Sequence, residues 1–193
     1  MPSAKAARVN RPGGSERTLL YITSTTNSIG ELLIYSYPQG KLLHVVAGSS
    51  SGGLVLPRGD CSDSHGNVYV ADDFSNPSDS AVLVYAYGAT MPSNTLGERG
   101  GVYECAVDPT TGNLALLGGK LVLFANATGS PKYYRLPEFL GHPTADVYDA
   151  NGNLFVGNFV GGNVTAYLPP YTGSPFVTIT QGVDHPMGLA FGP

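Results

Sequence analysis

Three carboxylates, Asp60, Glu104 and Asp146, stand three or four residues ahead of a recurring turn aspartate (Asp63, Asp108 and Asp149). Carboxylate oxygens are what a hard divalent cation such as calcium accepts. Cys61 and Cys105 flank two of them. Two cysteines allow one disulfide where their Cα atoms come within about 7 Å; otherwise they are two buried free thiols. The pairs His142-Pro143 and His185-Pro186 supply imidazoles that hydrogen-bond and titrate near neutrality, yet two histidines do not specify a zinc site. Arg58, Asp72, Asp73 and Asn158 add charged and amide groups. The acidic stretch "DDFSNPSDS" (72–80) offers oxygens to a cation or a partner without the spacing of an EF-hand loop. The chain has no G-x-S-x-G elbow, H-E-x-x-H pair, P-loop or Rossmann fingerprint. His44 and His65 are expected to face solvent.

The elements that must position these residues are repeats. "DSHGNVYVAD" (63–72), "DPTTGNLALLG" (108–118) and "DANGNLFVGN" (149–158) share an Asp…Gly-Asn turn followed by an apolar run. The period is 40–45 residues, and each copy carries four strand-like runs. The first runs are "RGDCSD", "YECAVD" and "TADVYD". The third runs align on an aromatic, Tyr35, Tyr85, Phe124 and Tyr167, each expected in the core. Such a period with four short strands per copy predicts β-propeller blades, because a lone four-stranded sheet would leave an apolar face in water. No window keeps helical spacing through three turns without Gly or Pro. The strands at the N-terminal end lack a fourth partner, which "PMGLAFGP" at the C-terminal end could supply. The expectation is therefore an all-β propeller of four four-stranded blades over 18–193, the chain ends sharing one blade. Within it, Asp60, Glu104 and Asp146 fall on innermost strands. Arg58, Asp72, Asp73, His142, Asn158 and His185 fall on one loop face. The turn aspartates are expected to hold their own backbone.

Bulk properties agree. Of 193 residues 42% are hydrophobic and 12% charged, which excludes a disordered chain. Residues 1–17 carry a net +3 without an apolar pattern and are expected to form a flexible basic tail. The remainder carries −7, an acidic body that argues against a nucleic-acid partner. No apolar run suits a signal peptide or a membrane span. A disulfide would imply an oxidising compartment, and an exported full-length protein would carry its signal outside these residues. "NAT" (126–128) and "NVT" (163–165) match the N-glycosylation pattern.

Over 18–193, and most specifically in "YECAVDPTTGNLALLGGKLVLFANATGSPKYY", the chain resembles bacterial NHL-type propellers related to the gluconolactonase and senescence-marker group. That family usually has six blades, so the resemblance implies either a true four-bladed ring or part of a longer one, with homo-oligomerisation expected if the ring is incomplete. It also implies a metal-dependent lactone or ester hydrolase holding calcium or another divalent ion, for which Asp60, Glu104 and Asp146 are the candidates. These three do not align with one another across the repeats, and the family's ligand motif does not map residue by residue. The reading favoured is a non-catalytic binding or scaffold module without a cofactor, its ligand a small molecule or a protein.

Overall fold

A computed structural model describes residues 4–5, 18–26, 29–48, 53–73, 80–97, 101–134, 136 and 142–192. The chain divides into two compact units, Met1–Gly101 and Val102–Pro193. Each holds two antiparallel four-stranded sheets in which sequence neighbours are spatial neighbours.

In the first unit, the first sheet runs β1 (Ala4–Lys5), β2 (Thr18–Thr26), β3 (Ile29–Tyr37) and β4 (Leu42–Ala47). The second runs β5 (Pro57–Ser62), β6 (Val68–Asp72), β7 (Ala81–Tyr85) and β8 (Asn94–Gly97). Strand β3 alternates between buried and more exposed residues, as a period of two requires. Its buried Leu32 and Ile34 join Leu19 and Tyr21 of β2 against Val68, Val70, Leu83 and Tyr85 of the second sheet. Burying each aliphatic side chain of this size contributes about 1.5–3 kcal/mol.

In the second unit, the third sheet runs β9 (Val102–Val107), β10 (Leu114–Gly118), β11 (Leu121–Phe124) and β12 (Lys132–Tyr134). A 3-10 turn (Ala125–Ala127) follows β11. The fourth sheet runs β13 (Pro143–Tyr148), β14 (Leu154–Asn158), β15 (Asn163–Tyr167) and β16 (Val177–Ile179). Ala115, Leu117, Leu121 and Leu123 of the third sheet pack on Leu154, Val156 and Tyr167 of the fourth.

The repeated turn explains why the sheets start where they do. Asp63 Oδ1 accepts the His65 and Asn67 backbone N–H groups, each at 2.9 Å, and its Oδ2 accepts Asn67 Nδ2 at 2.8 Å. Asp149 repeats this with Asn151 N at 2.8 Å, Asn153 N at 2.9 Å and Asn153 Nδ2 at 2.7 Å. Asp108 uses Thr110 N, Thr110 Oγ1 and Thr111 Oγ1, at 2.8, 2.7 and 2.6 Å. The glycine of each turn has φ of 71–85°, a left-handed conformation that glycine adopts at no steric cost. Burial pushes the Asp108 and Asp149 carboxyls up, but the donated bonds outweigh it and both lie below their ordinary 3.8.

Three expectations need correction. The first sheet takes its fourth strand from Ala4–Lys5, pairing Ala4 with Ile22 and Lys5 with Tyr21. The segment "PMGLAFGP" forms no strand among its described residues, so the two chain ends do not share that sheet. The reason is local: Pro186 packs beside Gly157 of the fourth sheet, and Phe191 meets the Phe155 ring edge-on at 5.0 Å. The C-terminal segment thus covers a sheet face rather than extending an edge. Second, two residues of the expected basic tail are strand residues; the rest of 1–17 lies outside the described residues. Third, Tyr85, Phe124 and Tyr167 are core residues, but Tyr35 is only half-buried, because it points to the face of the first sheet away from the second.

Candidate functional site

The ends of the innermost strands, together with the loops that follow the second strands, form a rim in each unit. In β5 and β13 the strand ladder is irregular there, between Pro57 and Asp60 and between Pro143 and Ala145. Such bulges turn side chains out of the ladder.

In the first unit, Pro57 pairs with Asp72, the last residue of β6. Asp72 is fully buried. Its carboxylate accepts Val55 N at 3.1 and 2.9 Å and Leu56 N at 2.7 Å. Burial pushes its pKa up, against those backbone bonds, which lower it. Asp72 is therefore an internal clamp on the 55–56 backbone. The exposed chemistry is Arg58, whose Nη2 lies 3.4 Å from Asp73 Oδ2, with Ser80 Oγ donating to Asp73 Oδ1 at 3.4 Å. Beneath them Asp60 is buried, and its Oδ1 accepts Thr23 Oγ1 at 3.3 Å. Most of the acidic loop, residues 74–79, lies outside the described residues.

The second unit repeats the frame with different side chains. Pro143 pairs with Asn158, the last residue of β14. Asn158 is buried, and its Nδ2 donates to Asn163 Oδ1 at 2.8 Å and Thr165 Oγ1 at 3.0 Å. Asn163 Nδ2 in turn donates to Gly161 O at 3.2 Å. This buried amide ladder occupies the "NVT" sequon, whereas Asn126 of "NAT" is exposed. Above the ladder, His142 and His185 are exposed, with φ of 48° and 49°. His185 Nδ1 lies 2.6 Å from Asp184 Oδ1, and its ring packs against Phe159 with centroids 4.6 Å apart. Phe159 N donates to His142 O at 3.3 Å. Phe159 thus links both histidines, a residue that sequence reading missed because Asn-Phe-Val resembles an ordinary strand end. Thr144 Oγ1 donates to Pro186 O and ties the two His-Pro turns together.

The sequence-derived site therefore splits. Arg58 and Asp73 meet in the first unit; His142 and His185 meet through Phe159 in the second. Asp72 and Asn158 are taken up by internal bonds and present nothing to a ligand. Of the candidate metal carboxylates, Asp60 and Asp146 are buried and Glu104 is half-buried. Among the described residues no group of three or more His, Cys, Asp or Glu side chains is placed to hold a metal ion. Neither Cys61 nor Cys105 is a free thiol; both are disulfide-bonded. His44 and His65 are exposed. Among the described residues no helix is long and apolar enough to cross a membrane.

Solved structures show the same blade arrangement. The chain is similar to one in the crystal structure of a nidogen/laminin complex, with a TM-score of 0.65 and 17% identity over 83% of this chain and 59% of that one. It is also similar to the β-propeller domain of Myceliophteria thermophila Cps50 (Swd1), with a TM-score of 0.62 and 15% identity over 94% of this chain and 56% of that one. The fold is a β-propeller of repeated blades. This chain spans less than two thirds of either propeller chain. No family model matches it, and no curated protein matches it in sequence.

Proposed function

We propose that this propeller is a binding and scaffold module that engages a small molecule or a protein through its rims, principally the His142–Phe159–His185 surface. The observation that carries this reading is a repeated strain. Both histidines occupy the left-handed region immediately before a proline, where that residue is biased towards extended backbone. Left-handed non-glycine residues cost about 1–3 kcal/mol each and gather where ligands are held. Here the strain turns two imidazoles outward beside an aromatic edge, a set that supplies hydrogen bonds and ring contacts to one polar, partly aromatic ligand. A protein ligand is consistent with one propeller of this fold having been captured in a nidogen/laminin complex.

The NHL-type and gluconolactonase-like assignment belongs to this proposal as well, resting on the strings quoted above. Its hydrolase version needs a divalent ion, and the described carboxylates do not gather into a ligand set. One experiment separates the two readings. A thermal-shift screen of small molecules and candidate proteins is run on the wild type and on His142→Ala/His185→Ala, with calcium and EDTA arms. Binding that the double variant loses at unchanged melting temperature supports the rim. Binding that survives the double variant refutes it. A calcium-dependent shift reversed by EDTA favours the hydrolase.

A further inference from the structure

Strands β6, β7, β10 and β11 are buried along their whole length, so both faces of the second and third sheets are covered. The first sheet differs. One of its faces joins the core of its unit. The opposite face carries Leu20 and Ile22 of β2, Leu33, Tyr35 and Tyr37 of β3, and Val45 of β4. None of these six is buried, and Tyr37 and Val45 are 48% and 49% exposed. They are contiguous: Leu20 stands opposite Tyr35, Ile22 opposite Leu33, and Leu33 opposite Val45.

The repeat shows what this face is built for. The Leu20–Tyr35 pair recurs as Val68–Tyr85 in the second sheet and Leu154–Tyr167 in the fourth. Both of those pairs are fully buried. Val68–Tyr85 is covered by Leu19, Tyr21, Leu32 and Ile34 of the first sheet, and Leu154–Tyr167 by the Ala and Leu side chains of the third. The matching face of the first sheet has the same chemistry, so its complement is an aliphatic sheet face. The fourth sheet's outer face, by contrast, is already overlaid by Pro186 and Phe191. Among the described residues, the open sheet face of a second copy is therefore again that of the first sheet.

We propose that two copies of this chain associate through the outer faces of their first sheets about a two-fold axis. Such an interface is isologous: the same patch meets itself, which suits an apolar patch bearing one carboxylate, Glu31. Face-to-face sheets pack about 10 Å apart, so Leu33, at the centre of the patch, is desolvated on both sides.

The test is sedimentation equilibrium of the 193-residue chain across the micromolar range, with two variants. Leu33→Glu places a carboxylate at the centre. Val45→Glu places one on β4, at an edge of the sheet where the side chain is already half-exposed, and it serves if Leu33→Glu fails to fold. The wild type is expected to reach the mass of two chains. Each folded variant, checked by circular dichroism, should raise the dimer dissociation constant at least about a hundredfold. A wild type that stays monomeric throughout overturns the proposal, whether the face is then met by another protein or by nothing. A dimer that persists in folded Val45→Glu overturns it equally.

Discussion

Replacing Gly152 by alanine tests whether the turn packing described above is what holds the third and fourth sheets together at this corner. Gly152 has φ of 79°, and an added Cβ would stand 2.9 Å from Thr110 Oγ1 and 3.1 Å from Asp108 Oδ1. Gly129 is the natural control, with φ of 74° and nothing within 4 Å of its Cβ position. Both substitutions incur the left-handed penalty of an L-residue, about 1–2 kcal/mol. Only Gly152→Ala must also push aside a carboxylate that accepts three short bonds. Losing part of that set costs about 1–3 kcal/mol, the range for hydrogen bonds to charged groups. Gly152→Ala should therefore destabilise by about 2–5 kcal/mol and Gly129→Ala by about 1–2 kcal/mol. Urea unfolding followed by circular dichroism measures both. Adding Asp108→Ala to each background completes a double-mutant cycle. Gly152 should couple to Asp108 and Gly129 should not. Equal losses for the two glycines, or no coupling at Gly152, would refute the reasoning.

Two further outcomes follow from the carboxylates. Asp72→Ala leaves the Val55 and Leu56 N–H groups without their acceptor, at about 1–3 kcal/mol each. Asp72→Asn, which keeps one acceptor oxygen, should lose clearly less in the same urea assay; equal losses would show that the clamp is not the reason Asp72 is buried. On pH, the folded-state pKa values of Asp108 and Asp149 lie below the ordinary 3.8, so the unfolded chain takes up these protons first. Their stabilisation is fully present above about pH 5 and is lost as pH falls through the folded values. Asp149→Asn should flatten the acid limb of a stability profile, and an unchanged limb would remove Asp149 from the explanation.

Much of the fold was legible in the sequence because each blade repeats one solvable problem. An Asp…Gly-Asn turn and three apolar runs need no tertiary information to be recognised, and Asp63, Asp108 and Asp149 behave as their neighbours dictate. The innermost strand of the first sheet was not legible. Ala4–Lys5 contributes two residues and lacks the apolar alternation that marks a strand, whereas "PMGLAFGP" has the composition of one and is instead drawn onto Phe155 and Gly157. The site was legible in part. Arg58, Asp73, His142 and His185 stand out by type and lie at the rims. Asp72 and Asn158 stand out equally by type, but only the hydrogen-bond geometry shows that both are consumed within the fold. Tyr35 shows the same limit from the apolar side: its alignment with Tyr85 and Tyr167 is right, yet alignment cannot report that the sheet meant to cover it is missing.

A chain built of repeats carries its own internal comparison, and that comparison sorts structure from function here. The last residue of the second strand is buried and fully bonded in both rims, as Asp72 in one and Asn158 in the other. Different chemistry thus meets the same demand, which is to hold the loop behind the strand. The residues just outside it answer to no such common demand. The first unit places a guanidinium–carboxylate pair there, and the second places two strained histidines on a phenylalanine edge. A blade needs neither set to fold, since each unit closes its core without them. The backbone strain at His142 and His185 is the more informative of the two differences. An ion pair on a surface costs little to keep, whereas two left-handed residues ahead of proline oppose the fold that carries them. Selection for folding alone would relax such residues, which is why the second rim, rather than the more highly charged first, is where a ligand should be sought.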